Sequence, residues 1–410
     1  MKNDYKNPLQ SYRTPYLFLL IGTNPLPNYV AAQLLWAREK QNAKLYFVYT
    51  ADTEKYVTTL KTELGLEVCE ELILIDVKDE SNTKKIFDGV YEEVQKLKNE
   101  GVDDDKIGLN YTGGTKTMAV HAYRGIRELS KGAHKSYLDA RSLEMVIERE
   151  GEEDKREPTR DLLEMSIDTF LALHSFEYKI EKGKQIKPRN VDELLYPNLA
   201  KAIGESNLIE DIHDWSQNQY RRIKFDPQIT KKKDRYEALE LPLCDKLQEH
   251  YNGCTTIGEF TILQGWDPEK TCLYFDGDWL EEYVLIALNE INEKPNKYSC
   301  GIDVKPQPIN GVDFQIDDFA INGYQLFAVS CGTGKKRGDL KTKLFEALIR
   351  ARQIGGDEAR VALVCGIEDS LCLENELIES WNLPKGLVRV FGKNEIPSLS
   401  TELNCWINYQ

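Results

Sequence analysis

The chain has 410 residues, room for two domains with a core each. Its 68 acidic against 53 basic side chains leave a formal charge of −15, which excludes a uniformly basic surface; any nucleic-acid contact must come from a local patch. The polar N-terminus MKNDYKNPLQSYRTPY has no apolar segment of the signal-peptide kind, no apolar run approaches the ~20 residues of a membrane helix, and the nine cysteines are scattered without a C-x-x-C pair. These features predict a reduced, cytoplasmic protein with no membrane partner.

In chain order, Tyr16 to Ile21 reads as a buried strand, followed by the turn-rich loop Gly22 to Asn28 (GTNPLPN). Tyr29 to Lys40 is predicted helical, Lys44 to Tyr49 a strand, Thr53 to Leu64 a helix, Glu71 to Val77 a strand, and Ser81 to Asn99 a helix capped by Ser81. Ile107, Leu109 and Tyr111 alternate as a fourth strand, the turn Thr112 to Thr117 follows, and Met118 to Arg127 reads as a helix. Ser136 to Ile147 looks like a closing hairpin. Nearly all-apolar strands alternating with helices predict a parallel sheet covered on both faces, with ligands beyond the carboxyl ends of its strands.

Two loops fall on that edge. Gly113 and Gly114 let backbone approach a ligand closely, Thr112, Thr115 and Thr117 add hydroxyls, and Lys116 adds a cation at a helix N-terminus whose first N–H groups favour an anion. The spacing is neither a Walker P-loop nor G-x-G-x-x-G. An ordinary βα turn is the plain alternative. The clustered polar groups, and the Gly22–Asn28 loop on the same edge, favour one shared anion site.

Glu148 to Arg160 is a charged run that reads as a domain boundary. The expected organisation is 1–150 as sensor domain, 151–265 as a mostly helical middle region and 266–410 as a mixed α/β domain. The middle region opens with Asp161 to His174 and holds two basic clusters, Arg221-Arg222-Ile223-Lys224 and Lys231 to Arg235, which read equally well as solvated faces or nucleic-acid contacts. After Gly265, Thr271 to Phe275 is predicted as a strand, Asp276-Gly277-Asp278 as a turn and cap, and Trp279 to Ile291 as a helix. Cys300 to Gln307 is a strand, Asn310-Gly311 a turn, and Val312 to Ala320 an alternating strand. Asn322-Gly323 is a hairpin turn and Gln325 to Cys331 a strand. Gly338 to Ile354 is a helix; Arg360 to Cys365 and Leu387 to Phe391 are strands.

A carboxylate-bearing helix, a hairpin with an aspartate and a following strand with polar ends is an order that suits a metal-dependent phosphodiesterase. Glu281 or Glu282 and Asp313 are the candidate carboxylates, with Asp317 on the face of Asp313 by alternation. Taken on spacing alone, solvent-facing acids, the usual fate of acidic residues, are the preferred reading.

The first domain resembles the CARF sensor domains, through GTNPLPN (Gly22 to Asn28) and TGGTKTM (Thr112 to Met118). The second half resembles the PD-(D/E)xK nuclease domain of CARF-fused effectors of type III CRISPR systems. That likeness rests on DWLEEYV (Asp278 to Val284), NGVDF (Asn310 to Phe314), LFAVSC (Leu326 to Cys331) and GGDEARVALV (Gly355 to Val364). The resemblance implies a Rossmann-like domain with a parallel sheet fused to a mixed α/β restriction-endonuclease-like domain, assembled as a homodimer. It implies a cyclic oligoadenylate, the tetra-adenylate, bound across the twofold axis by Gly22, Thr23, Asn24, Thr112, Gly113, Gly114, Thr115 and Lys116. It further implies Mg²⁺- or Mn²⁺-dependent cleavage of DNA, RNA or both, with Glu281 and Asp313 as metal carboxylates and Ser330 at the end of the hairpin. The family's lysine position holds Gly332 here, which leaves Lys335, Lys336 or Lys343 to supply the cation. A non-catalytic sensor and a sensor that degrades its own ligand through Thr112 and Thr115 are the alternatives.

Overall fold

A computed structural model describes residues 7–66, 71–174, 176–178, 195–291, 298–304, 306–308 and 315–408. The front sheet contains β1 (Tyr16–Leu20), β2 (Lys44–Tyr49), β3 (Leu72–Asp76), β4 (Ile107–Asn110), β5 (His134–Asp139), β6 (Glu144–Glu148) and β7 (Lys155–Pro158). Their order is β3-β2-β1-β4-β5-β6-β7; the first five run parallel and the last two antiparallel. This is a Rossmann-like arrangement, extended by one antiparallel strand beyond the expected hairpin.

Strand periodicity decides which side chains meet which layer. Leu17, Leu19 and Ile21, with Leu45, Phe47 and Tyr49, face the helices Leu26–Leu35 and Glu54–Glu63. Phe18 and Leu20, with Tyr46 and Val48, face the helices Thr83–Asn99 and Lys116–Leu129. The first of these helices begins at Leu26, not Tyr29, because Pro25 caps it and Pro27 sits in the first turn, where a missing N–H costs nothing. The Asn82 side chain, not Ser81, caps the helix Thr83–Asn99 by accepting from Lys85 N at 3.1 Å.

The rear sheet has the order β14-β13-β12-β11-β9, where β9 is Tyr298–Val304, β11 Ile316–Asn322, β12 Gln325–Gly332, β13 Arg360–Cys365 and β14 Val388–Phe391. The short β8 (Phe176–Tyr178) and β10 (Pro306–Pro308) pair separately. β9, β11 and β12 are antiparallel neighbours, and β13 and β14 join in parallel. The expected alternation in β11 gives way to burial of nearly every residue, since helices cover both faces of this sheet. Thr271–Phe275 is helical, not a strand: Pro268–Leu273 is an α-helix that runs through a π-helical turn, Tyr274–Asp278, into the helix Trp279–Glu290. Capping by Asp267 and burial of Thr271 and Cys272 on one face decide for helix over the local β-favouring residues.

The two halves share a core. The apolar cluster behind β1 and β2 continues through Met165, Phe170, Leu171 and Leu173 to Ile316, Phe319, Leu326 and the helix Arg337–Gly355. The turn after β11 locks in as well: Thr159 Oγ1 and Tyr324 OH share a hydrogen bond at 2.6 Å, and Met165 N donates to Gly323 O at 3.0 Å. The seven described cysteines carry no disulfide, and no described helix is long and apolar enough to cross a membrane.

Candidate functional site

The strand order reverses between β1 and β4, so their carboxyl ends open a crevice of the kind that holds ligands in such sheets. The loops Gly22–Asn28 and Thr112–Thr117 leave from those two strands and meet there. A Cβ on Gly22 would lie 2.8 Å from Gly114 N, and one on Gly113 would collide with the Leu20 carbonyl oxygen. Gly114 adopts φ +73°, a conformation that favours glycine. Beneath them Asn28 is fully buried and its Nδ2 donates to Leu20 O at 2.9 Å. The loops are thus packed backbone on backbone, with side chains larger than hydrogen excluded.

The threonines divide their work. Thr112 Oγ1 accepts from Leu138 N at 2.7 Å, tying the turn to β5, and Thr115 Oγ1 caps the helix Lys116–Leu129 by accepting from Met118 N at 3.3 Å. Both oxygens therefore hold the turn in shape. Thr23 and Lys116 stand exposed at the rim. Asn24 turns away from the crevice towards the rear half. Its Nδ2 donates to Glu358 Oε2 at 3.4 Å, and its Oδ1 accepts from Leu26 N at 3.1 Å and faces His174 Nε2 at 3.2 Å. Burial pushes the Glu358 carboxyl up to about 7, and burial lowers His174 to about 4. Nothing local in the sequence pairs Glu358 or His174 with Asn24, because both meet it only through the fold.

In the rear half, Asn322 pairs with Gln325 and Asp318 with Val329, so one step further along the register sets Asp317 across from Ser330. Asp317 Oδ2 accepts from Ser330 Oγ at 3.0 Å and Cys331 N at 2.8 Å, and lies 3.3 Å from Lys343 Nζ. A Cβ on Gly332 would sit 3.7 Å from Lys343 Cδ. The Lys343 stem from the helix Arg337–Gly355 thus passes at ordinary contact distance from position 332. The Cys331 thiol is pushed well above its usual value by burial, then by the carboxylates of Asp318, Asp317 and Glu281, with Lys343 opposing.

Of the sequence-predicted residues, Glu281, Lys335 and Lys336 line a cavity of about 800 Å³, and Ser330 lines a neighbouring one of about 530 Å³ together with Asp317; Lys343 borders both. Asp313 and the Asn310-Gly311 turn lie outside the described residues. Asp317, placed by alternation on the face of Asp313, is the hairpin carboxylate found at the site; what the sequence reading missed is its pairing with Ser330, which counting back from the Asn322-Gly323 turn gives. His213 and Arg221 of the middle region also line the larger cavity. Among the described residues no cluster of three or more His, Cys, Asp or Glu is drawn together tightly enough to hold a metal unaided. The oxygen donors present still fit Mg²⁺ or Mn²⁺, which bind through one or two carboxylates and keep several waters.

Residues 17–150 match the family model of the Card1 CARF domain. The CARF match covers β1 to β6 and includes both loops of the crevice. No curated protein matches the chain. Among solved structures, protein VC1899 from Vibrio cholerae is similar over 96% of this chain and 98% of its own, at 16% identity and TM-score 0.67. Can2 from Sulfobacillus thermosulfidooxidans, solved in complex with cyclic tetra-adenylate, is similar over 96% of this chain and 99% of its own, at 15% identity and TM-score 0.62. At these identities the likeness is one of fold, and it spans both the CARF-type half and the rear half.

Proposed function

We propose that this chain is a cyclic-oligoadenylate sensor of CRISPR antiviral defence whose rear half is a metal-dependent nuclease. The observation that carries the sensor part is the glycine-walled crevice at the switch point, inside the stretch that matches the CARF model. Can2, similar along its whole length, was solved with cyclic tetra-adenylate, which makes that ring the first ligand to test. A homodimer would match the rotational symmetry of such a ring.

For the rear half the support is the contact of Asp317 with Ser330 and Lys343, next to the cavity that Glu281 and Lys343 line. In this reading Asp317 and Glu281 would hold Mg²⁺ or Mn²⁺, which supplies a Lewis acid and lowers the pKa of bound water. Ser330 Oγ and Cys331 N orient Asp317 by donating to one of its oxygens. Lys343 places a cation where negative charge develops on a phosphoryl group, replacing the strand lysine absent at Gly332. Asn24 couples the halves, since the crevice loop that would close on a ligand also bonds Glu358 and sits against His174.

The test is to incubate the protein with Mn²⁺, plasmid DNA or single-stranded RNA, and each cyclic oligoadenylate. Ligand-stimulated cleavage that disappears in Asp317→Ala is expected; no cleavage under any combination would remove the nuclease half of the reading. Gly332 favours one second reading, a sensor that binds the ring and acts without cutting. Ligand binding with neither metal binding nor nicking would select it.

A further inference from the structure

The helix Leu208–Trp215 continues through a π-helical turn, Ser216–Tyr220, into the helix Arg221–Phe225. His213, Gln217 and Arg221 are spaced four apart and line the 800 Å³ cavity with Glu281 and Lys343. Asp276 fixes Arg221, accepting from its Nε at 2.8 Å and also from Ser216 Oγ. The same helix then carries Lys224 and Phe225 out of the cavity. Phe225 is 70% exposed, and Lys224 Nζ lies 5.6 Å from its ring centre and 5.3 Å from that of Tyr220. The second basic cluster folds back on this end, where Lys232 Nζ donates to Lys224 O at 2.5 Å. Residues 221–237 hold seven Lys and Arg against three acids, in a chain whose net charge is −15.

We propose that this surface is a landing track for an unpaired nucleic-acid strand, leading from the cavity past Arg221 and Lys224 to a base stacked on Phe225. The local positive excess selects a polyanion, and the acidic remainder of the chain confines it to this strip. A mostly exposed aromatic ring with Lys224 over it, in a basic stretch, suits a ligand that alternates phosphates with flat rings. A duplex buries its base faces in its own stack, so only an unpaired base can lie on Phe225. The direction of the track rests on the cavity being the cleavage centre; the binding surface itself does not.

The test uses the full chain without metal or cyclic nucleotide, titrated into a fluorescent oligothymidylate and into its duplex with oligoadenylate, over a salt series. The wild type is expected to prefer the single strand. Phe225→Ala and Phe225→Leu should each weaken the single strand roughly tenfold and leave the duplex unchanged. The triple variant Lys231→Gln, Lys232→Gln, Lys233→Gln should weaken both and lower the slope of log affinity against log salt by roughly 2. Absence of wild-type binding overturns the track, as do variants that bind like the wild type. Retention by Phe225→Leu with loss only in Phe225→Ala also overturns stacking, and identifies an apolar protein-docking patch instead. Because neither activator nor metal is present, a protein that cannot cut still tests the track. Activated cleavage by variants with unaltered binding would sink the track and leave the nuclease reading in place.

Discussion

Glu358 is 1% exposed and carries a carboxyl that burial raises from 4.5 to about 7, with Asp357 adding and Asn24 opposing. A raised carboxyl keeps its proton longer in the fold than in the unfolded chain. Stability therefore falls as pH rises from about 4.5 to about 7, by on the order of 3 kcal/mol from this group at the top of the window. Glu358→Gln should remove that slope, read as urea midpoints that converge with the wild type near pH 4.5 and exceed it above pH 7. His174 lies beside the Asn24–Glu358 pair, with Nδ1 2.9 Å from Phe170 O and Nε2 3.2 Å from Asn24 Oδ1. The second residue-scale prediction concerns Lys343. Its loss in Lys343→Ala should lower the cleavage rate by about 10²–10³ at unchanged ring affinity, the usual effect of one lost charge-stabilising group. Adding Gly332→Lys should restore much of the rate, since position 332 has room for a side chain next to the Lys343 stem; a double variant no faster than Lys343→Ala would show that the cation is not what the site lacks.

Among elements, the two crevice loops carry the sharpest constraint. Gly113→Ala must push the turn away from the Leu20 carbonyl oxygen, at a cost of about 1–3 kcal/mol. A melting temperature lowered accordingly, with cyclic tetra-adenylate affinity falling by more than the stability loss explains, is the expected calorimetric result. Element type was legible in the front half because its strands are short and apolar, each followed by a strongly amphipathic helix, as in Ile86, Val90, Val94 and Leu97 of Thr83–Asn99. It failed at Thr271–Phe275, where a segment fully packed on one side looks alike as strand or helix and only the Asp267 cap distinguishes them. The edge β7 escaped notice because its residues Lys155 to Pro158 are charged and mostly exposed, the composition of a linker.

At the scale of the molecule, one apolar cluster joins the sensor sheet to the rear sheet, so the halves should unfold together. Trp36 is in the front half and the other five tryptophans are in the rear, so tryptophan fluorescence reports mainly on the rear. Cyclic tetra-adenylate at about 100 times its Kd should add about 2.7 kcal/mol of stability and raise the fluorescence-detected melt although the ring binds in front. In Asn24→Ala, ring binding should persist while that rear-half shift shrinks. Two separate transitions, with only the front one moved by ligand, would refute the coupling.

Local pattern alone determined the front half's class, the crevice loops and the hairpin turn at Asn322-Gly323, because period-2 burial, glycine turns and helix signals act over a few residues. Tertiary packing decided which groups share a site. Asp317 meets Lys343, and Asn24 meets Glu358 across 334 positions of sequence, through contacts whose partners no short window contains. The cost of burying a carboxyl exists only once distant segments exclude water together.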